Sequence, residues 1–222
     1  MPHRRTLLLG AALGAPGLAR AQSSAPWPQA GPIRIIVPFA SGGSTDIIAR
    51  LIAEDMSRGL GQSVVVENRP GAGATLGTGL VARAAPDGYT LLISVISALA
   101  VGQTLYRDRI DWDADRSFAH IAMLMGTPYL LLVNPRQPWR TLAEFVAAAK
   151  AAPERIAYGT SGVGSMPHLV GLRFSEAAGI RLTHVPYRGG AQASTDLIAG
   201  VVPSIIDSLT AASANIRAGT QR

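Results

Sequence analysis

The sequence predicts an α/β protein built on parallel sheet, and three observations carry that prediction. Short β-rich runs alternate with stretches whose apolar residues recur at helical spacing, the pattern of βαβ units. Strand-to-helix joints are marked by turns rich in Gly, Ser and Thr, as in PFASGGSTD at residues 38–46 and GTSGVGS at residues 159–165. Finally, 222 residues at 48% apolar content are enough to bury one large or two small α/β domains.

Taken in order, residues 23–31 form a Pro-containing lead-in, and Ile33 to Val37 form the first strand. Downstream of its loop, Ile47, Ile48, Leu51, Ile52 and Met56 share one face of a helix, with Arg50, Glu54 and Asp55 on a wetter face. Ser44 or Thr45 is expected to cap that helix, and Gly59 to Gly61 to close it. Val64 to Val66 give a second strand, the glycine-rich loop of residues 67–77 leads to a helical stretch through Val81 and Ala82, and residues 86–94 are a turn followed by a third strand. Val95 to Ala98 then fall at that strand's carboxyl end, the edge where ligand loops gather in open parallel sheets. Residues 107–118 pack four acids among three arginines and are expected as a solvated loop. The apolar run from Ile121 to Val133 is expected to cross into a second lobe. There Thr141 and Glu144 make a capping box ahead of a helix to Lys150. Ile156 to Tyr158 form a strand, and a helix begins near Pro167 and His168.

Composition narrows function. The formal charge is +6, but Arg4, Arg5 and Arg20 lie in an N-terminal leader, and without them 17 basic residues face 14 acidic ones. The other arginines are scattered singly with no aromatic interleaving, which argues against nucleic acid as a partner. Residues 1–21 read as an export signal, with basic HRR, an apolar core from Leu7 to Leu18 and a small-x-small site at residues 19–21. That core is too short to span a membrane. Its two arginines leave both the general and the twin-arginine export route open. The chain has no cysteine, which excludes disulfides, thiol catalysis and thiolate metal sites.

Chemical motifs are incomplete where they occur. The glycines at 71, 73 and 77 miss the dinucleotide spacing by one residue, and Asp111, Asp113 and Asp115 lack the Gly and Glu of a calcium loop. Residues 159–165 have the outline of a phosphate loop without its lysine. His120, His168 and His184 are scattered and are expected in structural roles. What remains is a pair of similar joints, one in each half of the chain, each able to turn helix N–H groups toward an anion.

The segments PIRIIVPFASGGSTDIIAR, VVVENRPGAGATLGTGLVARAAPDGYTLL, YGTSGVGSMPHLVGLRF and HVPYRGGAQASTDLIAGVVPSIID resemble the extracytoplasmic solute receptors of tripartite tricarboxylate transporters, the Bug family. The resemblance runs from about residue 32 to the chain end. It implies a two-lobed, type II periplasmic-binding-protein fold that captures a small carboxylate and delivers it to membrane permease subunits, with no cofactor and no catalysis. On that basis residues 22–125 are expected as the first lobe and 126–222 as the second. The resemblance also carries over Phe39, Ala40, Ser41, Gly43 and Asp46 as the wall of one lobe and Ser161, Gly162, Gly164, Ser165 and His168 as the wall of the other, with Asp207 near the cleft. Asp46 would meet an anionic guest only through water or a ligand amine. Family receptors continue for about another third, finishing the second lobe and returning to the first, so the C-terminal return segment is expected to be missing here. Two alternatives stand beside the receptor: a periplasmic hydrolase using Ser161 or Ser165 with His168, and a nonfunctional truncated paralogue.

Overall fold

The computed structural model describes residues 25–222; the export-signal reading of residues 1–21 lies outside the described residues. Strand β1 (Ile33–Val37) is flanked by β2 (Val64–Asn68) and β3 (Thr90–Leu92), all parallel, in the order β2-β1-β3. Its residues Ile33, Ile35, Ile36 and Val37 are all buried, as a central strand covered on both faces requires. Helix α1 (Ser44–Leu60) lays Ala49 and Ala53 on Ile35 and Val37 and stops at Gly61, whose φ of 62° is left-handed. The expected serine or threonine cap is replaced. Gly43 occupies the N-cap position in extended conformation and no side chain caps the helix. Helix α2 (Thr75–Ala82) packs against β1 and β3.

After β3 the chain forms a π-helical turn at Ser97–Val101 that runs into the short helix α3 (Gly102–Leu105). The expected solvated loop is anchored in the protein: Trp112 is buried and meets Phe118 edge to face. Asp113 accepts the backbone N–H groups of Asp115 and Arg116, a local turn that occupies one of its oxygens.

The second sheet has the order β4-β7-β5-β6, from β4 (Tyr129–Val133), β5 (Ala157–Thr160), β6 (Thr183–Pro186) and β7 (Ser204–Ser208). Strands β5, β6 and β7 are parallel, but β4 is antiparallel to β7. The wholly parallel expectation fails there because β4 is reached through the long inter-sheet segment and not through the βαβ crossover that makes neighbours parallel. Helices α4 (Leu142–Ala151), α5 (Met166–Ala178), α6 (Gly190–Ala199) and α7 (Leu209–Arg217) complete this half. Thr141 caps α4 as expected, accepting from Glu144 N–H, while Glu144 reaches back to the N–H of Arg140, one residue beyond the cap. Phe145 is the centre of the core beneath α4, between Trp139 and Phe174. At the chain end Arg222 exchanges both backbone bonds with Val133, on β4.

Candidate functional site

Both Gly-rich joints end at the start of a helix, and each is braced from behind. In the first, Gly42 takes a φ of 84° and donates its N–H to Asp46 Oδ2 at 2.9 Å. Asp46 also accepts from Arg50, and its Oδ1 accepts from Asn68 Nδ2 at 3.0 Å. The same amide group of Asn68 donates to the Phe39 carbonyl. Burial alone would raise the Asp46 pKa, but the bonds from Arg50, Gly42 and Asn68 outweigh it and hold the carboxyl below its ordinary value. Asp46 is thus an ionised brace tying the loop to the end of β2. The helix itself leaves its first N–H groups unpaired.

In the second joint, Gly162 and Gly164 take φ values of 128° and 77°, conformations that cost other residues strain. Ser165 sits at the N-cap of α5 and donates its hydroxyl to the Gly162 carbonyl at 2.7 Å. The N–H of Gly164 donates to His168 Nδ1 at 3.2 Å. His168 stacks on His184 with ring centres 4.1 Å apart, and His184 Nε2 lies 2.7 Å from Thr160 Oγ1. The two histidines therefore support the loop from within the fold, the structural role expected of them.

That support is acid-sensitive. Burial lowers the pKa of His168, and burial, with His168 adding, brings His184 down to about 4. An unfolded chain binds protons to such histidines between about 4 and the free value near 6.5, where the folded chain does not. Their contribution is therefore complete above about pH 6.5 and is lost as pH falls toward 4. In thermal melts the midpoint advantage of the unmodified chain over His184→Gln should shrink as pH falls from 7 to 4.5; a difference that does not change with pH would count against the pair.

The two joints meet in one cleft enclosing about 460 Å³, including the part open to solvent. Phe39, Ala40, Gly43, Ser44 and Thr45 come from the first, and Ser161, Ser165, Met166 and Pro167 from the second. Contact between the halves is close at its margins. A Cβ built on Gly189 would lie 2.9 Å from that of Ala40, and one on Gly164 would lie 2.9 Å from Leu105. Of the eleven residues carried over from the resemblance, Phe39, Ala40, Gly43, Ser161, Ser165 and Asp207 line the cleft. Asp46 and His168 brace the joints from outside the lining, Gly162 shapes the second joint and Gly164 sits at the margin against Leu105, and Ser41 is exposed outside the lining.

Ser97, Tyr129 and Gly190 are among the lining residues that had no individual signal in the sequence. Ser97, from the π-helical turn, is buried with a hydroxyl that has no hydrogen-bond partner among the described residues. It belongs to the stretch expected at the β3 carboxyl edge, but nothing in its local pattern singled it out. Tyr129 arrives through the antiparallel register of β4 on β7, and Gly190 begins α6 against Asp207. Asp207 is the penultimate residue of β7, is 8% exposed, and accepts the N–H of Ser208 at 2.7 Å. Burial pushes its pKa up to about 6, against the lowering effect of the Ser208 bonds.

Two α/β units with separate sheets, and a cleft between the Gly-rich helix starts of each, define the class of periplasmic binding proteins. Within it the chain belongs to the tripartite tricarboxylate transporter family receptors, whose family model matches residues 48–222. Protein BugT of Bordetella pertussis is 38% identical over 220 residues, which are 99% of this chain and 67% of that protein. An R. palustris protein solved with adipate superposes with a TM-score of 0.84 at 35% identity, covering 88% of this chain and 65% of its own. MatC from Rhodopseudomonas palustris, solved with bound malate, gives 0.80 at 31% identity, covering 87% of this chain and 66% of its own. The chain thus spans about two thirds of the length of these relatives.

Proposed function

We propose that this chain is a receptor that captures a small carboxylate, outside the cytoplasmic membrane, for delivery to the membrane subunits of a tripartite tricarboxylate-type transporter. The lobes are residues 22–125 and 126–222, which close on the guest. The observation that carries this reading is the shared cleft, where Gly43 and Ser44 at the start of α1 face Ser165 and Met166 at the start of α5. Unpaired N–H groups and helix dipoles at both starts favour negative oxygen. Neutral donors hold an anion without the buried guanidinium that would slow its release.

The hydroxyl chemistry supports capture over hydrolysis. Ser165 Oγ donates to a backbone carbonyl, and His168 Nδ1 accepts from Gly164. No hydrogen bond joins His168 to Ser161 or Ser165 among the described residues, so the serine and histidine of a nucleophilic pair are not assembled.

Thermal shift with L-malate, adipate and other small dicarboxylates tests the proposal. A guest bound only by the folded chain at a hundred times its Kd adds about 2.7 kcal/mol of stability. A saturable rise in melting temperature with at least one dicarboxylate is expected, and no rise with any of them would overturn the receptor reading.

A further inference from the structure

A buried carboxyl on the wall of an anion site presents an electrostatic conflict, and at Asp207 the geometry resolves it. We propose that Asp207 meets the guest in its protonated form, donating that proton in a hydrogen bond to a ligand carboxylate, so that capture at neutral pH takes up one proton from solvent. This rests on the receptor reading above and assigns the proton as a second ligand of the same cleft.

The carboxyl of Asp207 lines the cleft with Ser165 from α5 and Gly190 from α6, and only 8% of the residue is exposed. A Cβ on Gly190 would lie 2.9 Å from Asp207 Oδ2, so the absence of a side chain at Gly190 leaves that oxygen room. Among the described residues only its neighbour Ser208 hydrogen-bonds Asp207, its backbone N–H reaching Oδ1 at 2.7 Å and its hydroxyl adding to it. No side-chain cation answers its charge, since Asp207 is in no ion pair among the described residues, and the start of α6 at Gly190 is the positive pole beside it. In the same lining, Ser97 has a buried hydroxyl without a partner among the described residues.

The groups around Asp207 leave it as the titrating member. From β4, Tyr129 faces it, and that phenol is held above its ordinary pKa by burial and then by Asp207 itself. From β5, Tyr158 is raised by burial and stays neutral at pH 7. His168 on α5 is lowered by burial and so is also neutral there. Asp196 on α6 accepts from Tyr187 OH, and Arg217 lies in the last turn of α7, at the opposite end from Ser208. The other charged residues of α5, Arg173 and Glu176, pair with each other in solvent. Across the cleft, Asp46 is occupied by Arg50 and Asn68.

An ionised Asp207 would repel a carboxylate within the low-dielectric cleft, and moving an ammonium there would place it against the positive starts of α1 and α5. A neutral carboxyl avoids both costs. Its pKa of about 6 without a guest places the proton within reach at neutral pH, and an adjacent anion raises it further.

Calorimetric titration of the whole chain with L-malate, repeated in buffers of different ionisation enthalpy, reads proton uptake directly. Uptake approaching one proton per malate at pH 7.5 is expected, with affinity falling about tenfold per pH unit above pH 7. Asp207→Asn, whose amide can donate as the protonated acid does, should remove the uptake and flatten that pH dependence. Binding without uptake in the unmodified chain would overturn the proton role and leave the receptor intact. A loss in Asp207→Asn confined to amine-bearing probes such as L-aspartate would overturn it too, showing an ionised acceptor. No heat with malate, adipate or aspartate at any pH would overturn both readings together.

Discussion

Gly189→Ala is expected to weaken dicarboxylate capture by about 5- to 150-fold while changing the stability of the unliganded chain much less. Gly189 has φ 164° and ψ 159°, extended backbone that alanine adopts freely, so the substitution carries no conformational strain of its own. The added methyl would instead stand 2.9 Å from Ala40 Cβ and 3.4 Å from Ala40 N. Ala40 belongs to the first joint and Gly189 to the second half, immediately before the cleft residue Gly190. A wedge at this margin costs about 1–3 kcal/mol in a well-packed contact. The chain can relieve it by holding its halves slightly apart, which transfers the cost to closure and hence to affinity. Calorimetry with L-malate gives the loss, and small-angle scattering should show the liganded variant more expanded than the unmodified protein. Unaltered affinity would mean that capture does not require this contact.

Gly77→Ala is expected to act on stability, by about 2–3 kcal/mol, which lowers the melting temperature by about 4–12 °C. A Cβ at Gly77 would lie 2.7 Å from the Arg69 carbonyl oxygen and 2.9 Å from Pro38 Cα. Both neighbours have backbone in the way, so no rotamer change relieves the overlap. Pro38 follows β1 and opens the first joint, so any shift that accommodates the methyl also displaces the loop that Asp46 braces. Gly59 in α1 gives the contrast. Nothing lies within 4 Å of its added Cβ, so Gly59→Ala should be neutral or stabilising by about 0.4–1 kcal/mol. Chemical denaturation of both variants checks the pair, and equal effects would show that helix propensity and not the contact at Pro38 governs Gly77.

The elements legible in the sequence are those whose cause is local. Strand β1, its loop and α1 show as a switch from a β-rich run to helical spacing, and α4 is announced by Thr141 and Glu144. Features set by distant pairing were silent. The antiparallel entry of β4 places Tyr129 opposite Ser208, beside Asp207, and no pattern near residue 129 encodes that neighbour. His168 on α5 and His184 on β6 stack only because the helix after β5 packs beside the strand that pairs with it, a neighbourhood that no pattern near either residue encodes. Ser97 depends on a π-helical turn, which has no periodicity of its own to read. The second joint showed in its own residues as a repeat of the first, and the resemblance to a receptor family supplied Asp207. It did not separate residues whose atoms line the cleft from those, such as Asp46 and His168, that hold the lining in place.

A crystal structure of the chain grown with L-malate should show malate between the joints, its carboxylate oxygens within hydrogen-bond distance of N–H groups at the start of α1, near Ser44, and at the start of α5, near Ser165. Malate bound elsewhere with this cleft empty, or bound to one joint with the other turned away, would contradict capture between the joints.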